Sequence, residues 1–242
     1  MTVSLDLRPP RRDVESLQAI AAEGAQRFDD NSDPVVTLEW LGSQLGLRRI
    51  AVATSFADSL MAALAARALP GVDLLFVDTG YHFAETLGLR DAVAADHELN
   101  LRTLRPELSV PEQDHRHGEQ LWERDPDACC AMRKQAPMDD ALRGYEAWAT
   151  GLRRADHAGR AHVNIVDWDE RRQMIKVNPL AAFSDDEVAA CVEKYGLMEN
   201  PLTQLGYRSI GCSPCTRPVA DSQQARAGRW AGTTKTECGL HL

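Results

Sequence analysis

The chain has 242 residues, 44% of them apolar, and its 27 Lys and Arg against 36 Asp and Glu leave a formal charge of −9. That length holds one large α/β domain or two small ones, no apolar run approaches the ~18 residues of a membrane span, and the acidic balance excludes a surface built for nonspecific nucleic-acid binding. The expectation is a cytoplasmic protein with neither nucleic acid nor membrane among its partners, which must gather cations locally if its substrate is anionic.

In chain order, Val14, Leu17, Ala21 and Ala25 recur at helical spacing after Asp13, and predict an amphipathic helix lying on the main body. Asp33 before Pro34 reads as an N-cap and first-turn proline, opening a helix that carries Val36, Leu38, Leu41 and Leu45 and stops at Gly46. Ile50-Ala51-Val52-Ala53 is a short buried strand that runs into Thr54-Ser55-Phe56-Ala57-Asp58-Ser59, and Leu60 to Leu69 reads as the helix beyond. Such a loop offers hydroxyls, backbone N–H groups and a helix N-terminus to an anion, so Thr54 and Ser55 are candidate substrate contacts; equally, the hydroxyls can simply cap the helix.

Leu74 to Val77 is a second strand, ending in Asp78-Thr79-Gly80 and followed by a helix from about Ala84 to Ala95. Leu101 to Leu104, Trp148 to Gly151 and Met174 to Val177 read as further strands, and a helix is expected from Ala131 to Arg143. Strands alternating with helices imply right-handed crossovers and an α/β fold: a mainly parallel sheet with helices on both faces, whose ligand site lies beyond the carboxyl ends of the strands. Asp78, Thr79, Gly80 and Gly151 all fall at such ends. His115 and His117 lie in a polar stretch that reads as a solvated helix or lid in preference to a metal site. Ser184 with Glu187 forms a capping box for a helix on whose apolar stripe Cys191 packs.

The other cysteines carry more information. Cys212-x-x-Cys215 is half of a metal site in form, and Cys129-Cys130 supplies two further thiolates. A four-cysteine set binds zinc or an iron–sulfur cluster; adjacent side chains diverge, which suits a bulky cluster better than one ion, and a redox dithiol at Cys212 and Cys215 is the third reading. Lys134 follows the first pair closely enough to face the same place. Arginines cluster at Arg153-Arg154, with Arg160 after them, and at Arg226 and Arg229, where forked hydrogen bonds could grip phosphate or sulfate oxygens. Cys238, on a polar tail with little after it to bury it, reads as a swinging nucleophilic or redox thiol, or as an incidental cysteine on a frayed end.

Taken together, Asp78-Thr79-Gly80-Tyr81-His82, Cys129-Cys130-x-x-Arg133-Lys134, Thr150-Gly151-Leu152-Arg153-Arg154, Gly211-Cys212-x-x-Cys215 and Glu237-Cys238-Gly239-Leu240-His241 resemble assimilatory adenylylsulfate reductase. The likeness runs from about residue 50 onward. It implies a fold of the adenine-nucleotide alpha-hydrolase type, a four-iron, four-sulfur cluster on Cys129, Cys130, Cys212 and Cys215, and Cys238 as nucleophile, with Lys134 and His241 assisting. It further implies adenosine 5′-phosphosulfate as substrate, held by Thr54, Ser55, Asp78, Thr79, Gly80, Gly151, Arg153, Arg154, Arg226 and Arg229, and thioredoxin as reductant. The chain would then divide into N-terminal helices over 1–48, an α/β domain over 49–231 and a mobile tail over 232–242, with homo-oligomerisation left open. One departure stands out: ATP-cleaving relatives carry Ser-Gly-Gly-x-Asp-Ser, whereas Ser55-Phe56-Ala57-Asp58-Ser59 is shorter and lacks both glycines, which argues against ATP hydrolysis. The rivals are reduction of the 3′-phosphorylated substrate and a zinc-stabilised nucleotide-binding or adenylating protein.

Overall fold

Six strands, β1 Ile50–Ala53, β2 Asp73–Val77, β3 Asn100–Leu104, β4 Ala147–Thr150, β5 Val166–Asp169 and β6 Met174–Val177, form one sheet in the order β3-β2-β1-β4-β6-β5. The computed structural model describes residues 10–220 and 222–241, so positions 1–9 of the expected N-terminal helices and Leu242 of the expected tail lie outside the described residues. Every neighbouring pair runs parallel except β5 with β6. Strand β1 is buried along its whole length because successive side chains enter different cores: Ile50 and Val52 join one cluster, Ala51 and Ala53 the other. The sheet is therefore covered on both faces, as near-continuous apolar runs in parallel strands require.

From β1 the chain steps outward through β2 to β3, then returns to lay β4 on the opposite side of β1. The two halves diverge there, and a crevice opens beyond the carboxyl ends of β1 and β4, the place where open α/β sheets bind ligands. Strand β5 is absent from the sequence-based expectation. Val166 and Trp168 alternate with Asp167 and Asp169, a half-buried edge pattern too short and acidic to stand out.

Helices α1 Val14–Arg27, α2 Pro34–Leu45, α3 Leu60–Ala68 and α4 Ala84–Asp96 supply Leu17, Leu38, Leu41, Ala65 and Val93 to the first core. Asp13 and Asp33 cap α1 and α2 through their side chains. Next come α5 Val110–His117, α6 Leu121–Arg124 and α7 Pro126–Cys130; His115 and His117 are exposed on α5. A π-helical turn, Ala131–Gln135, joins α7 to α8 Ala136–Leu142. Pro137 has no N–H and its ring would press on the Arg133 carbonyl in a regular helix, which the wider π turn avoids. The expected regular helix from Ala131 is thus broken at its start. Helix α9, Asp185–Tyr195, carries the Ser184–Glu187 capping box, and Cys191 packs against the first core.

The second core is closed by Met138 and Leu142 of α8 together with Trp230, Cys238 and Leu240. This corrects the reading of Cys238 as a thiol with nothing to bury it: the residue is 7% exposed, because the tail folds back over the sheet. Burying a side chain such as that of Leu240 contributes about 1.5–3 kcal/mol toward seating the tail.

Candidate active site

The cysteine quartet draws on two segments: Cys129 and Cys130 end α7, and Cys212 and Cys215 lie far along the chain. The π turn that follows α7 carries Arg133 and Lys134. Arg133 is buried and runs across to the loop after β2, where its Nε donates to the Thr79 carbonyl at 2.5 Å and its Nη1 to Gln113 Oε1 at 3.1 Å. Gly80 has φ +76°, and a Cβ there would stand 2.9 Å from Arg133 Nη2, so this position needs glycine for its backbone and for the arginine beside it. Cys129, Cys130, Cys212 and Cys215 line one small cavity with Thr79, Tyr81 and Lys134. The Thr79 hydroxyl lies 3.2 Å from Cys212 Sγ.

Among the described residues, no three or more Cys, His, Asp or Glu side chains gather as for a single metal ion; the four thiols line a cavity instead. Burial, and then the neighbouring thiolates, push Cys129 up to about 12. Burial likewise raises Cys130 to about 12 and Cys215 to about 11. Four soft ligands that repel one another when ionised require positive charge among them to deprotonate, and that donor set fits an iron–sulfur cluster.

A larger cleft, about 450 Å³, opens beside the cysteine cavity at the ends of β1 and β4, within the range of small-molecule sites. Thr54 and Ser55 line it, as do Gly151, Arg153, Arg160, Arg226 and Arg229. Without glycines, the loop after β1 makes its turn by holding Phe56 at φ +54°, an unfavourable conformation for a bulky residue. Packing secures it: Phe56 meets Phe76 edge to face at 5.3 Å, and Asn200 Nδ2 donates to its carbonyl at 3.1 Å. Among the described residues, Arg153 Nη1, Arg226 Nε and Arg229 Nε are buried without a hydrogen-bond partner. All three arginines line the cleft, and their charge makes it suited to an oxyanion.

The tail crosses this cleft. Gln135 Nε2 donates to the Cys238 carbonyl at 2.6 Å, Arg172 Nη2 to that of Leu240 at 3.1 Å and Lys176 Nζ to that of His241 at 3.4 Å. Gly239 has φ +75°, and a Cβ there would stand 2.5 Å from Gln135 Nε2. Burial raises the Cys238 thiol, but Lys134, the Leu240 N–H and Arg229 more than offset it, and the net shift is downward. Burial, then the charges of Lys176, Arg160 and Lys134, hold His241 well below the ordinary imidazole range.

Several sequence-derived candidates fall elsewhere. Asp78, Thr79 and Gly80 do not line the cleft: Asp78 accepts from the Gly80 N–H at 3.0 Å and faces Arg105, while Thr79 serves the cysteine cavity. Arg154 turns away altogether, ion-paired with Asp30 at 2.7 Å and donating to the Val163 carbonyl. The remaining candidates, Thr54, Ser55, Lys134, Gly151, Arg153, Arg226, Arg229, Cys238 and His241, line the cleft together. Sequence reasoning assigned no role to Gln135, Trp148, Arg172, Lys176 or Glu237. Each acts through a contact distant in the chain, so no local pattern marks it; only Arg160, close after Arg153-Arg154, carried a signal.

Residues 49–218 match the family described as the phosphoadenosine phosphosulfate reductase domain. The chain is 48% identical over 230 residues to the adenosine 5′-phosphosulfate reductase of Streptomyces coelicolor, covering 95% of this chain and 97% of that one. It is 43% identical over 226 residues to the enzyme of the same name from Mycolicibacterium smegmatis, covering 93% and 95%. The crystal structure of phosphoadenylyl-sulfate reductase from Candida auris, a phosphate complex, superposes with a TM-score of 0.70 at 26% identity, over 87% of this chain and 100% of that one. Candida glabrata FMN adenylyltransferase, at 11% identity and a TM-score of 0.52, shares the fold.

Proposed function

The chain belongs to the phosphoadenosine phosphosulfate reductase domain family, and from that premise we propose that it reduces adenosine 5′-phosphosulfate to sulfite and AMP in sulfate assimilation, in the cytoplasm, with thioredoxin as reductant. One observation carries the reading: Cys238, Lys134 and Arg229 line both the cysteine cavity and the cleft, so a thiol of lowered pKa stands where cations and a soft-ligand site meet.

The Cys238 thiolate attacks the substrate sulfur. An S–S bond forms to that sulfur, its bond to the bridging phosphate oxygen breaks, and the electron pair leaves with AMP, giving an S-sulfocysteine. A thioredoxin dithiol then supplies two electrons, expels sulfite, restores the Cys238 thiol and is itself oxidised to a disulfide. Bringing a thiolate against sulfate oxygens costs about 4 kcal/mol per unit pair at ~4 Å in a surface-like dielectric. Lys134, Arg153, Arg226 and Arg229, which line the cleft, offset that repulsion, and Thr54, Ser55 and Gly151 border the nucleotide. Cys129, Cys130, Cys212 and Cys215 would hold a four-iron, four-sulfur cluster, whose contribution when bound is electrostatic: it polarises the sulfate end of the site.

Sulfite release from adenosine 5′-phosphosulfate and from its 3′-phosphorylated relative, assayed side by side with thioredoxin, tests the proposal. Faster turnover of the former, abolished in Cys238→Ser with nucleotide binding retained, is the expected result; undiminished sulfite release by Cys238→Ser overturns it. The Candida auris structure makes the 3′-phosphorylated substrate the second reading, and equal or faster turnover of that compound would select it.

A further inference from the structure

Glu237 precedes the nucleophile and is the tail's only acid. Arg160 approaches its carboxylate along both oxygens, Nε to Oε1 at 2.8 Å and Nη2 to Oε2 at 2.9 Å. Arg226 Nη2 adds a third bond at 3.2 Å and also donates to the Thr236 carbonyl at 3.0 Å. The His157 ring stands 4.0 Å away. Bidentate guanidinium–carboxylate pairs fix geometry as well as supplying energy. The carboxylate is 14% exposed, so solvent screens it little.

The contact continues beyond the tail. Arg160 Nη1 donates to Asp156 Oδ2 at 3.0 Å, Arg153 Nη2 to Asp156 Oδ1 at 2.8 Å, and the same Arg153 nitrogen to Asp185 at 2.8 Å. An alternating ionic chain of Arg226, Glu237, Arg160, Asp156, Arg153 and Asp185 therefore runs along the cleft wall, every member lining it. Among the described residues, Arg226 Nε and Arg153 Nη1 are buried and unpartnered within that chain. Both arginines pair with carboxylates while lining the cleft, so each guanidinium is fixed at the cleft wall.

We infer that Glu237 is a positioning residue: its carboxylate latches the tail onto Arg160 and Arg226, delivering Cys238 to the cleft while fixing the Arg226 guanidinium at the wall that receives the substrate oxyanion. Tail docking and anion binding then reinforce each other through one guanidinium. The catalytic consequence rests on the reductase reading, since Cys238 is what the latch delivers; the latch itself is a statement about docking. Because Leu240 and His241 also hold the tail, removing the latch loosens the tail without releasing it.

The test is the alkylation rate of Cys238 by iodoacetamide in the holoprotein, read by mass from the peptide 236–242 that trypsin releases after Lys235. A buried thiol reacts only when the tail opens. Glu237→Gln keeps the shape and removes the charge, and is expected to speed alkylation at least about tenfold, the scale of one charged hydrogen bond. Glu237→Asp recovers part of the protection. The sulfite assay adds a second readout: in Glu237→Gln kcat falls and KM rises, because the Arg226 guanidinium that the latch orients also serves the anion. Arg160→Gln in the Glu237→Gln background adds little further acceleration, because the pair acts as one unit. Alkylation of Glu237→Gln within twofold of wild type, or full additivity with Arg160→Gln, overturns the latch. These readouts stand apart from the reductase proposal, which fails instead if Cys238→Ser still releases sulfite.

Discussion

The imidazole of His241 lies flat on the indole of Trp148, ring centroids 5.5 Å apart and planes 10° from parallel. Trp148 belongs to central strand β4 and is fully buried. The Arg172 guanidinium lies 4.8 Å and the Lys176 ammonium 5.3 Å from the ring centroid, and the indole Nε1 donates to Asp169 Oδ2 at 3.2 Å. The tail therefore rests on an aromatic seat in the sheet, flanked by two side chains that also hold its carbonyls. A seat surrounded by cations accepts a neutral imidazole and resists a charged one.

That relationship sets a pH dependence. His241 in the docked tail is held well below the usual value by burial and by Lys176, Arg160 and Lys134, whereas an undocked histidine titrates near about 6.5. The undocked tail thus binds more protons in this range, and docking, complete above pH ~6.5, weakens as pH falls through it. Hydrogen exchange of peptide 236–242, corrected for intrinsic rates, should show protection at about pH 7.5 that declines by about pH 5.5. In His241→Gln that decline is expected to vanish; a wild-type-like decline in the variant would assign the effect to another group.

Gly211 offers a cleaner handle on the cation set. A Cβ at this position would collide with the guanidinium of Arg229, which lies 4.6 Å from the Trp230 ring centroid. In Gly211→Ala the flexible end of Arg229 must move. A displacement of ~1 Å in a positioning group can cost about 10²-fold in rate. Sulfite release should therefore fall steeply while the melting temperature stays nearly unchanged.

Glu146 is a test of the scaffold. Its carboxylate is fully buried, bonded to Arg12 Nη1 at 2.5 Å and to the Arg12 N–H at 2.7 Å, with Arg49 Nε at 3.6 Å. Glu146→Ala leaves Arg49 buried without its counter-charge, a loss of about 3–5 kcal/mol. For a chain of this size that corresponds to a fall in melting temperature of roughly 6–20 °C, measurable by calorimetry. A shift of under ~2 °C would mean that solvent reaches Arg49.

Cys130→Ser removes one of the four thiols proposed to hold the cluster. If they hold it, wild-type protein purified without oxygen carries iron and acid-labile sulfide, and the variant is expected to lose both together, and its sulfite release with them. Lost iron with full turnover would show that Lys134 and the arginines suffice to polarise the site.

Much of this protein is determined by local pattern. The apolar runs at Ile50–Ala53 and Leu74–Val77 read as buried strands and are, Asp33 with Pro34 and Ser184 with Glu187 cap helices by chemistry confined to one turn, and the cysteine spacings and Glu237-Cys238-Gly239-Leu240-His241 carried the family likeness. Tertiary structure decided what the candidates touch. Thr54, Ser55 and Gly151 come together because β1 and β4 are neighbours at the sheet's switch point, a pairing that spans nearly a hundred residues. Arg153 and Arg154 are adjacent in sequence, yet one lines the cleft and the other pairs with Asp30, since consecutive side chains point different ways and only the packed environment chooses between them. Cys238 looked exposed because a tail has no partner in its own sequence; the tail's partners are Gln135 on Cys238, Arg172 on Leu240 and Trp148 on His241, which the fold brings from three other segments. Local rules determine the elements, while contacts between distant segments exist only once the sheet has closed.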